Sequence, residues 1–338
     1  MSNYIVTSVE PGALIGGNKA KDDVTYFLTQ KDGFKKMNII EKKGKLSKLF
    51  YSQFKLKKKI INSKADNFVL QHPVASEFLE DSFIKLVHRK ANAKLFILIH
   101  DISSLQYPDV VGEGYQNREL GRFNKADGLI VHNSAMKKWL LNHGVEVPMV
   151  ELGVFDYQTD NQMQREIPFE RSICFAGGLG RANFLQKLNI NHSLHIMGPN
   201  RLDNYPPCVK YDGQFTPDEL APHLLQNFGL VWSGNSTDTC SGYLGQYLKY
   251  NDPHKVSLYL SNGIPVIIWA KAALADFVKK NDVGIIVNDL NILDKVLNEI
   301  DKERYSRMKY NARKIGTKIR QGHFIINAVN SIISCQQH

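Results

Sequence analysis

The sequence predicts an α/β protein of two successive domains, each built on a parallel β-sheet. Three observations support this fold class. Short apolar runs alternate with amphipathic stretches of about 10–15 residues, which is typical of βαβ units. A polar segment without periodicity, residues 156–168, separates two such series and predicts a linker. The 338 residues are 43% hydrophobic and 22% charged, an ordinary globular composition that argues against a disordered chain.

The first series contains five predicted strands. They are Tyr4–Val9, Lys36–Ile40, Asn67–Gln71, Lys94–His100 and Gly128–His132. Helices are predicted between them at Lys19–Gln30, Leu46–Ile61 and Phe78–Ala91, and a further helix at Ser134–Asn142. In the Leu46–Ile61 stretch the apolar residues recur at helical spacing, which predicts an amphipathic helix with its lysines on the other face.

The second series repeats the pattern and closes with a long tail. Its predicted strands are Arg171–Ala176, Ser193–Met197, Gly229–Trp232, Pro265–Trp269 and Val283–Val287. The tail from Glu303 to Ile333 is predicted to be helical. We therefore expect a first domain at 1–157, a second at 168–310 and a terminal helix in 311–338.

Polar residues follow the predicted strands at the edge where α/β sheets bind ligands. In the first domain three strands are closed by a histidine: His72, His100 and His132. In the second, the loop Ser233–Gly242 consists of small and polar residues, and its hydroxyls and Asp238 suit a sugar or ribose. A plain flexible loop is an equally good interpretation.

Two segments of the second domain suit an anion. Gly177-Gly-Leu-Gly-Arg181 follows a strand and precedes a predicted helix, so its backbone can approach a phosphate and Arg181 can clamp it. A simple strand–helix turn with a surface arginine is the alternative. In Tyr250-Asn-Asp-Pro-His-Lys255, Asp252 is predicted as the N-cap of a helix that begins at Pro253. His254 and Lys255 then lie in the first turn, where the helix dipole disfavours cations. An anionic ligand such as a nucleotide diphosphate explains them.

The charge is uneven. The formal net charge is +10, and eleven lysines lie between Lys35 and Lys64 against one acid, Glu41. Such a patch suits an anionic membrane surface, a nucleic acid or an acidic partner, and a plain solvated helix face is the alternative. The four cysteines form no CxxC pair, the first residues lack a signal-peptide pattern, and no apolar run is long enough to span a membrane, so we expect a cytoplasmic protein.

Several stretches resemble one bacterial family, the glucosyltransferase 3-like enzymes. They are Gly16–Ala20, Ile99–Leu105, Leu230–Gly242 and above all Tyr247–Lys255 with Ser257–Val266. The resemblance implies a GT-B glycosyltransferase: two Rossmann-like domains facing a cleft, with the C-terminal helix crossing back to the N-terminal domain. It implies transfer of glucose or N-acetylglucosamine from a UDP-sugar to protein-linked GlcNAc, the second step of O-glycosylation of a serine-rich repeat adhesin, by a homotetramer.

The resemblance also places the UDP contacts. They map onto Gly17, Arg181, Tyr211, Tyr250, Asn251, Asp252, Pro253, His254 and Lys255. No D-x-D metal motif and no E-x7-E pair is present, so we expect no cofactor and no metal, with cations and helix amides stabilising the departing UDP. The acceptor hydroxyl then needs a base. Asp101 is the candidate, with His100 and His132 as alternatives, although Asp101 also suits an N-cap.

Other functions stay open. Related sequences build galactofuranose linkages in surface polysaccharides, and a non-catalytic glycan-binding partner would have the same fold. A peripheral contact with the inner membrane leaflet through the Lys35–Lys64 segment is compatible with the enzyme. A nucleic-acid binder ranks last, because it has no use for the Pro253-His-Lys helix start.

Overall fold

The structure is a computed structural model that describes residues 2–9 and 19–335. It divides into two compact units, and each is described by itself. Unit 1 comprises residues 1–152 together with 322–338, and unit 2 comprises residues 153–321. Residues 152–172 contain no helix or strand.

In residues 2–9 and 19–152, unit 1 holds six strands and seven α-helices. The strands are β1 Asn3–Val9, β2 Lys35–Ile40, β3 Asn67–His72, β4 Lys94–Ile99, β5 Gly128–Val131 and β6 Met149–Glu151. The helices are α1 Lys19–Lys31, α2 Lys45–Phe50, α3 Lys57–Ile61, α4 Glu77–His88, α5 Ser103–Gln106, α6 Tyr115–Phe123 and α7 Ser134–Asn142. The strands pair in parallel in the order β2-β1-β3-β4-β5-β6. The five predicted strands of this half are confirmed.

Unit 2 repeats this architecture. Its strands are β7 Ile173–Ala176, β8 Leu194–Met197, β9 Val209–Gly213, β10 Phe228–Val231, β11 Val266–Trp269 and β12 Gly284–Val287. Its α-helices are α8 Pro217–Leu220, α9 Gly242–Tyr247, α10 His254–Ser261, α11 Ala275–Asn281, α12 Leu293–Asn298 and α13 Lys302–Arg320. The strands are parallel, in the order β12-β11-β10-β7-β8-β9, which is the order of a Rossmann fold.

The strand order fixes where each unit can receive a ligand. In open α/β sheets the ligand crevice lies beyond the carboxyl ends of the strands, at the point where the strand order reverses. That point lies between β7 and β10 in unit 2 and between β1 and β3 in unit 1. The loops that follow these four strands are therefore the first places to look for a site.

The two strands missed from the sequence are edge strands. β6 has only three residues, and none of them is buried. In β9, Lys210 and Asp212 are exposed, so the segment lacks an apolar run. Edge strands pack on fewer neighbours than central strands, which is why their composition gives little signal.

The helix expected over Leu46–Ile61 forms, but most of its predicted apolar stripe is exposed. α2 and α3 are joined by a π-helical turn, Tyr51–Leu56, into one continuous segment that we call the 45–61 helix. A π turn widens the helix locally, so a stripe drawn at the α-helical period does not stay on one face. The core side chains of this helix are Tyr51, Leu56 and Ile60, whereas Phe50 and Phe54 are exposed.

The helical tail expected over Glu303–Ile333 is two helices. α13 ends at Arg320, and α14 spans His323–Ser334. Gly322 breaks the helix with a left-handed backbone (φ 76°), and a β-carbon there would lie 2.6 Å from Phe27 Cδ1. α13 belongs to unit 2 and α14 to unit 1, where α14 packs on α1, β5 and β6. Within residues 2–9 and 19–335, no helix combines the length and apolar character needed to cross a bilayer.

Candidate functional site

Glycines with positive φ stand at the carboxyl ends of three neighbouring strands of unit 2. Gly177 follows β7, Gly198 follows β8 and Gly213 ends β9, with φ values of 146°, 146° and 124°. A β-carbon at Gly198 would lie only 1.9 Å from the carbonyl oxygen of Gly177. At Gly198 the ends of β7 and β8 therefore pack backbone against backbone, and no β-carbon fits between them. Sequence reasoning missed Gly198 and Gly213. The available signal for Gly198 was a glycine directly after the predicted strand Ser193–Met197.

The Lys255 side chain lies across the first of these glycines. A β-carbon at Gly177 would stand 2.7 Å from Lys255 Cε and 3.1 Å from Nζ. The ammonium group lies 4.8 Å from the centre of the Phe175 ring. In the described parts of the chain Lys255 forms no ion pair with a carboxylate, and burial lowers its pKa to about 8. A partly buried cation at the end of a strand, next to backbone, can bind an anion.

The helix that carries Lys255 is tied to the same strand end. The Tyr259 hydroxyl accepts a 2.8 Å hydrogen bond from the backbone N–H of Ala176, the residue before Gly177. Tyr259 also packs on β10, since a β-carbon at Gly229 would lie 2.3 Å from its ring. α10 is therefore fixed at the reversal point between β7 and β10, and Lys255 lies one turn before the anchor.

The start of α10 differs in detail from the prediction. Pro253 is the N-cap with an extended backbone (φ −65°, ψ 128°), and the helix begins at His254. Asp252 is buried and precedes the N-cap residue, so it is not itself the N-cap. Pro253 has no N–H and its ψ lies outside the helical region, so it precedes the helix here. The prediction that both His254 and Lys255 lie in the first turn is confirmed.

The surroundings of His254 and Lys255 differ. The His254 imidazole packs on aromatic rings of unit 2, with its centroid 5.1 Å from that of Tyr157 and 6.0 Å from that of Phe155. Lys255 instead points to Gly177. Of these two side chains, Lys255 is the one placed against Gly177.

Other predicted contact residues lie around this region. Tyr211, on β9, donates a 3.4 Å hydrogen bond to the carbonyl oxygen of Gly198, and the Arg201 guanidinium lies 4.9 Å from its ring centre. Tyr250 and Asn251 follow α9, and their backbone N–H groups bond to the Tyr247 carbonyl. Asn251 Oδ1 is buried and accepts no hydrogen bond from the described residues.

The local structure around Arg181 differs from the one predicted. No α-helix follows Gly177–Arg181, because the chain forms two short 3₁₀ turns, Leu179–Arg181 and Asn183–Lys187. Gly180 and Asn183 are poor α-helix formers, which favours these turns. The exposed Arg181 ends the first turn, so an α-helix dipole is not available there. Gly17 lies outside the described residues.

The Ser233–Gly242 loop follows β10 and is held by internal bonds. Trp232 Nε1 donates to the Ser236 carbonyl at 2.9 Å, and the backbone of Asn235 donates to Ser241 Oγ at 2.9 Å. The Ser236 hydroxyl donates to Asp238, which holds the pKa of that carboxyl below its usual range. The loop is therefore built into the edge of the site, with Asp238 ionised and exposed.

In unit 1 the three predicted histidines close the adjacent strands β3, β4 and β5. His72 is the last residue of β3, and the backbone N–H of His100 bonds to its carbonyl at 2.8 Å. His100 Nε2 lies 2.9 Å from Gln71 Oε1. His132 Nε2 donates to the Ile99 carbonyl at 3.0 Å, and burial lowers its pKa to about 4. His132 is thus neutral and buried.

His72 joins two buried carboxylates that sequence reasoning did not find. Its Nδ1 lies 2.6 Å from Glu80 Oε1 and its Nε2 lies 3.1 Å from Glu119 Oε1. Burial alone would lower the pKa of His72, but the two carboxylates outweigh it and raise the pKa to about 9. The imidazolium therefore donates to both.

Glu119 connects this network by hydrogen bonds to the loop that carries Asp101. Its carboxylate accepts hydrogen bonds from the backbone N–H groups of Ser103 at 2.7 Å and Ser104 at 3.0 Å. These residues begin α5, directly after the partly buried Asp101 and the buried Ile102. The position of the Asp101 loop is therefore set by a buried Glu80–His72–Glu119 network.

A cavity of about 400 Å³ opens beside this network in unit 1. It lies where the strand order reverses, since Ser8 of β1 and Pro73, just after β3, both line it. Its polar lining consists of Ser8, Lys21, Glu77, Ser103, Tyr107 and Tyr115. Hydroxyls, a cation and a carboxylate around an open pocket suit a polyhydroxylated ligand. In the part of the chain that the structure describes, no three His, Cys, Asp or Glu side chains are grouped to hold a metal ion.

Comparison with known proteins identifies a family whose two domain models together cover most of the chain. The chain matches the family models "Glucosyltransferase 3-like, N-terminal domain" over residues 2–154 and "Glucosyltransferase 3-like, C-terminal domain" over residues 173–332. It is 31% identical to the β-1,6-galactofuranosyltransferase WbbI of Escherichia coli K12, over 79% of each chain. It is 28% identical to glucosyltransferase 3 of Streptococcus gordonii, over 72% of each chain.

Solved structures confirm the fold. Sucrose-phosphate synthase from Thermosynechococcus elongatus superposes with a TM-score of 0.67 at 14% identity, covering 99% of both chains. Anabaena HepE, solved in complex with UDP-glucose, superposes with a TM-score of 0.63 at 11% identity, covering 100% of both chains. The predicted GT-B fold is therefore confirmed, and the chain belongs to the glucosyltransferase 3-like family of glycosyltransferases.

Proposed function

We propose that this glycosyltransferase moves a hexosyl group from a UDP-sugar to a hydroxyl of an acceptor sugar, and that unit 2 binds the donor. The observation that carries the proposal is the Lys255 ammonium lying against Gly177 at the strand-order reversal. The solved complexes of HepE with UDP-glucose and with UDP support a UDP-sugar donor for this fold. Family membership supports glycosyl transfer.

The chemistry requires a place for the leaving group. The bond between the anomeric carbon and the diphosphate oxygen breaks, and UDP leaves with the electron pair. The departing diphosphate gains negative charge. Lys255, in the first turn of α10, supplies positive charge there, together with the backbone amides of that turn. We propose that these groups replace a divalent cation, and that Tyr211, Tyr250 and Asn251 complete the UDP site.

We assign the acceptor to unit 1. The new bond forms between the acceptor oxygen and the anomeric carbon, and the acceptor proton passes to a base. Asp101 is our assignment for this base, on a loop held by Glu119. The cavity of about 400 Å³ lined by Lys21, Glu77 and Tyr107 has room for a sugar ring.

The preferred acceptor is protein-linked GlcNAc on a serine-rich repeat adhesin, and the enzyme acts as a homo-oligomer, a tetramer. Relatives named glucosyltransferase 3 in two streptococci support glucose as the donated sugar. Because UDP-sugars are made in the cytoplasm, we place the reaction there.

A second candidate is galactofuranosyl transfer in surface polysaccharide synthesis. One observation favours it: the chain is 31% identical to the E. coli galactofuranosyltransferase and 28% identical to S. gordonii glucosyltransferase 3. The two activities share the leaving group and differ in the ring of the donated sugar, so the Lys255 site serves both.

A donor panel separates the candidates. Purified protein is incubated with UDP-glucose, UDP-GlcNAc or UDP-galactofuranose and either a GlcNAc-bearing serine-rich peptide or a sugar acceptor, and products are read by mass. Transfer from one donor, unchanged by EDTA, supports the proposal. UDP binding without transfer to any acceptor would indicate a non-catalytic glycan-binding partner, and EDTA-sensitive transfer would contradict the cation role of Lys255.

A further inference from the structure

The 45–61 helix presents large apolar side chains to solvent. The exposed fractions are 83% for Leu46, 46% for Leu49, 59% for Phe50 and 62% for Phe54. The two phenylalanine rings lie together, with centroids 4.7 Å apart. Scattered single apolar residues are ordinary on protein surfaces, but a contiguous cluster of this kind marks an interaction site.

This cluster is surplus to the fold of unit 1. The same helix already has a core side, formed by Tyr51, Leu56 and Ile60, which are at most 6% exposed. Tyr51 fixes it further, because its hydroxyl accepts a 3.0 Å hydrogen bond from the backbone N–H of Ile40. The helix is thus anchored without Phe50 and Phe54, whose exposure is a property of the folded unit.

Lysines surround the apolar cluster. Eleven lysines and one acid lie between Lys35 and Lys64. The exposed lysines of the helix itself are Lys45, Lys55, Lys57, Lys58 and Lys59. Aromatic and leucine side chains next to a dense set of lysines are typical of helices that lie in the interface of a negatively charged bilayer. A second copy docking through the same face would instead bring two sets of lysines together, which is repulsive.

We propose that the 45–61 helix docks the protein on an anionic phospholipid surface. Phe50 and Phe54 enter the boundary between headgroups and acyl chains, and the lysines contact the lipid phosphates. The inference does not depend on the donor site of unit 2 and adds a location to the proposed transfer reaction.

Vesicle sedimentation of the full-length protein tests it. The probes are vesicles of phosphatidylcholine alone and vesicles that also contain phosphatidylglycerol, at low and high salt. We expect the protein to sediment with the anionic vesicles and not with the neutral ones. Binding should weaken as salt rises, because exposed charges are screened. Equal binding to both vesicles, or no binding to either, overturns the proposal.

Two variants locate the contact. Phe50→Ser with Phe54→Ser should lower the bound fraction roughly tenfold, since membrane affinity scales with buried apolar area. The double charge reversal Lys57→Glu with Lys58→Glu should abolish vesicle binding. The matched controls are Leu225→Ser, at a side chain 61% exposed, and Lys279→Glu with Lys280→Glu, an exposed pair on α11.

The controls should bind like the unchanged protein, and circular dichroism and thermal unfolding should show all variants folded. If the phenylalanine variant keeps vesicle binding, the lipid proposal is wrong. If that variant also changes from oligomer to monomer in light scattering, the face is a contact between copies.

Discussion

Lys255 lies so close to Gly177 that a β-carbon on the glycine would stand 2.7 Å from the lysine Cε. The lysine needs this space because the Tyr259 hydroxyl, one turn later on α10, holds the helix against the end of β7. The glycine and the lysine are 78 positions apart in the sequence, yet they form one feature of unit 2: a cation lying over bare backbone. The first three predictions concern this feature.

Replacing Gly177 should disable donor binding. In Gly177→Ala the methyl group would displace the Lys255 side chain, and alanine rarely adopts the φ of 146°. We expect UDP affinity and turnover to fall by roughly 100-fold, the loss typical of a misplaced site group. Calorimetry with UDP and a product assay measure it.

The neighbouring glycine provides the control. A β-carbon at Gly178 would meet no atom within 4 Å, and its φ is −64°. Gly178→Ala should therefore bind UDP normally. Equal losses in both variants would mean that the strand end, and not the lysine, was disturbed.

Replacing Lys255 should lower turnover and raise the melting temperature. Lys255→Met keeps the length of the side chain and removes a charge that has no carboxylate partner in the described parts of the chain. Turnover should fall about 100- to 1,000-fold, as when a charge-stabilising group is removed. The melting temperature should rise, because a desolvated charge is destabilising.

Lys279→Met, at an exposed lysine on α11, should change neither quantity. A Lys255→Met variant that melted lower than the unchanged protein would show that the lysine is structural.

Donor affinity should depend on pH in the alkaline range. Because burial lowers the pKa of Lys255 to about 8, the free protein loses this charge as the pH rises through that value. Bound diphosphate favours the protonated form and raises the pKa, so UDP binding should take up protons near pH ~9 and weaken as the pH rises. Calorimetry in buffers of different ionisation enthalpy measures the uptake. Lys255→Met should show none, and uptake that persisted there would assign it to another group.

Glu119 should act on turnover through the Asp101 loop. Glu119→Gln weakens the hydrogen bonds from the Ser103 and Ser104 backbones and removes one of the two charges that face His72. We expect kcat to fall about tenfold with UDP affinity unchanged, and stability to fall by about 1–3 kcal/mol. The exposed Glu113→Gln is the matched control.

The pH dependence distinguishes this role from a general loss of stability. The raised pKa of His72, about 9, means that its charge contributes stability fully below the unfolded value near 6.5. That contribution is lost as the pH rises through about 9. The stability cost of Glu119→Gln should therefore shrink over this range, and a cost independent of pH would contradict the ion-pair network.

Asp101 should be needed for transfer and not for donor binding. Asp101→Asn keeps the shape of the side chain and removes its basicity, so transfer should be abolished while UDP affinity is retained. Product formation and UDP calorimetry on one preparation give both values. Residual transfer at more than a few per cent of the original rate would move the role of base to another group, with His100 next to be tested.

The sequence predicted the features that depend on local composition. Buried strands such as β4 and β5 are continuous apolar runs, and their carboxyl ends are marked by His100 and His132. The sheets and their ligand edges could therefore be predicted from the sequence. An anion site at the first turn of α10 could also be predicted, because a lysine there is unfavourable without an anion.

The remaining features depend on tertiary contacts. No local signal pairs His72 with Glu80 and Glu119, or places Lys255 over Gly177, because these contacts join distant segments. The face that the 45–61 helix buries could not be predicted for a different reason. A π turn shifts the helical phase, so most of the predicted apolar stripe is exposed, while Tyr51, Leu56 and Ile60 face the core.

The left-handed turn at Gly322 has a consequence for biosynthesis. Because α14 supplies Ile325, Val329 and Ile332 to the interior of unit 1, a ribosome that has translated the first 152 codons has not yet delivered all of that unit's core. The whole second unit is translated before α14, so the last apolar side chains of the unit 1 core follow residues 153–321 in the order of synthesis. Unit 1 therefore cannot complete its core until unit 2 has been translated, and a stop codon at position 322 would remove core side chains of unit 1 while leaving the coding sequence of unit 2 intact.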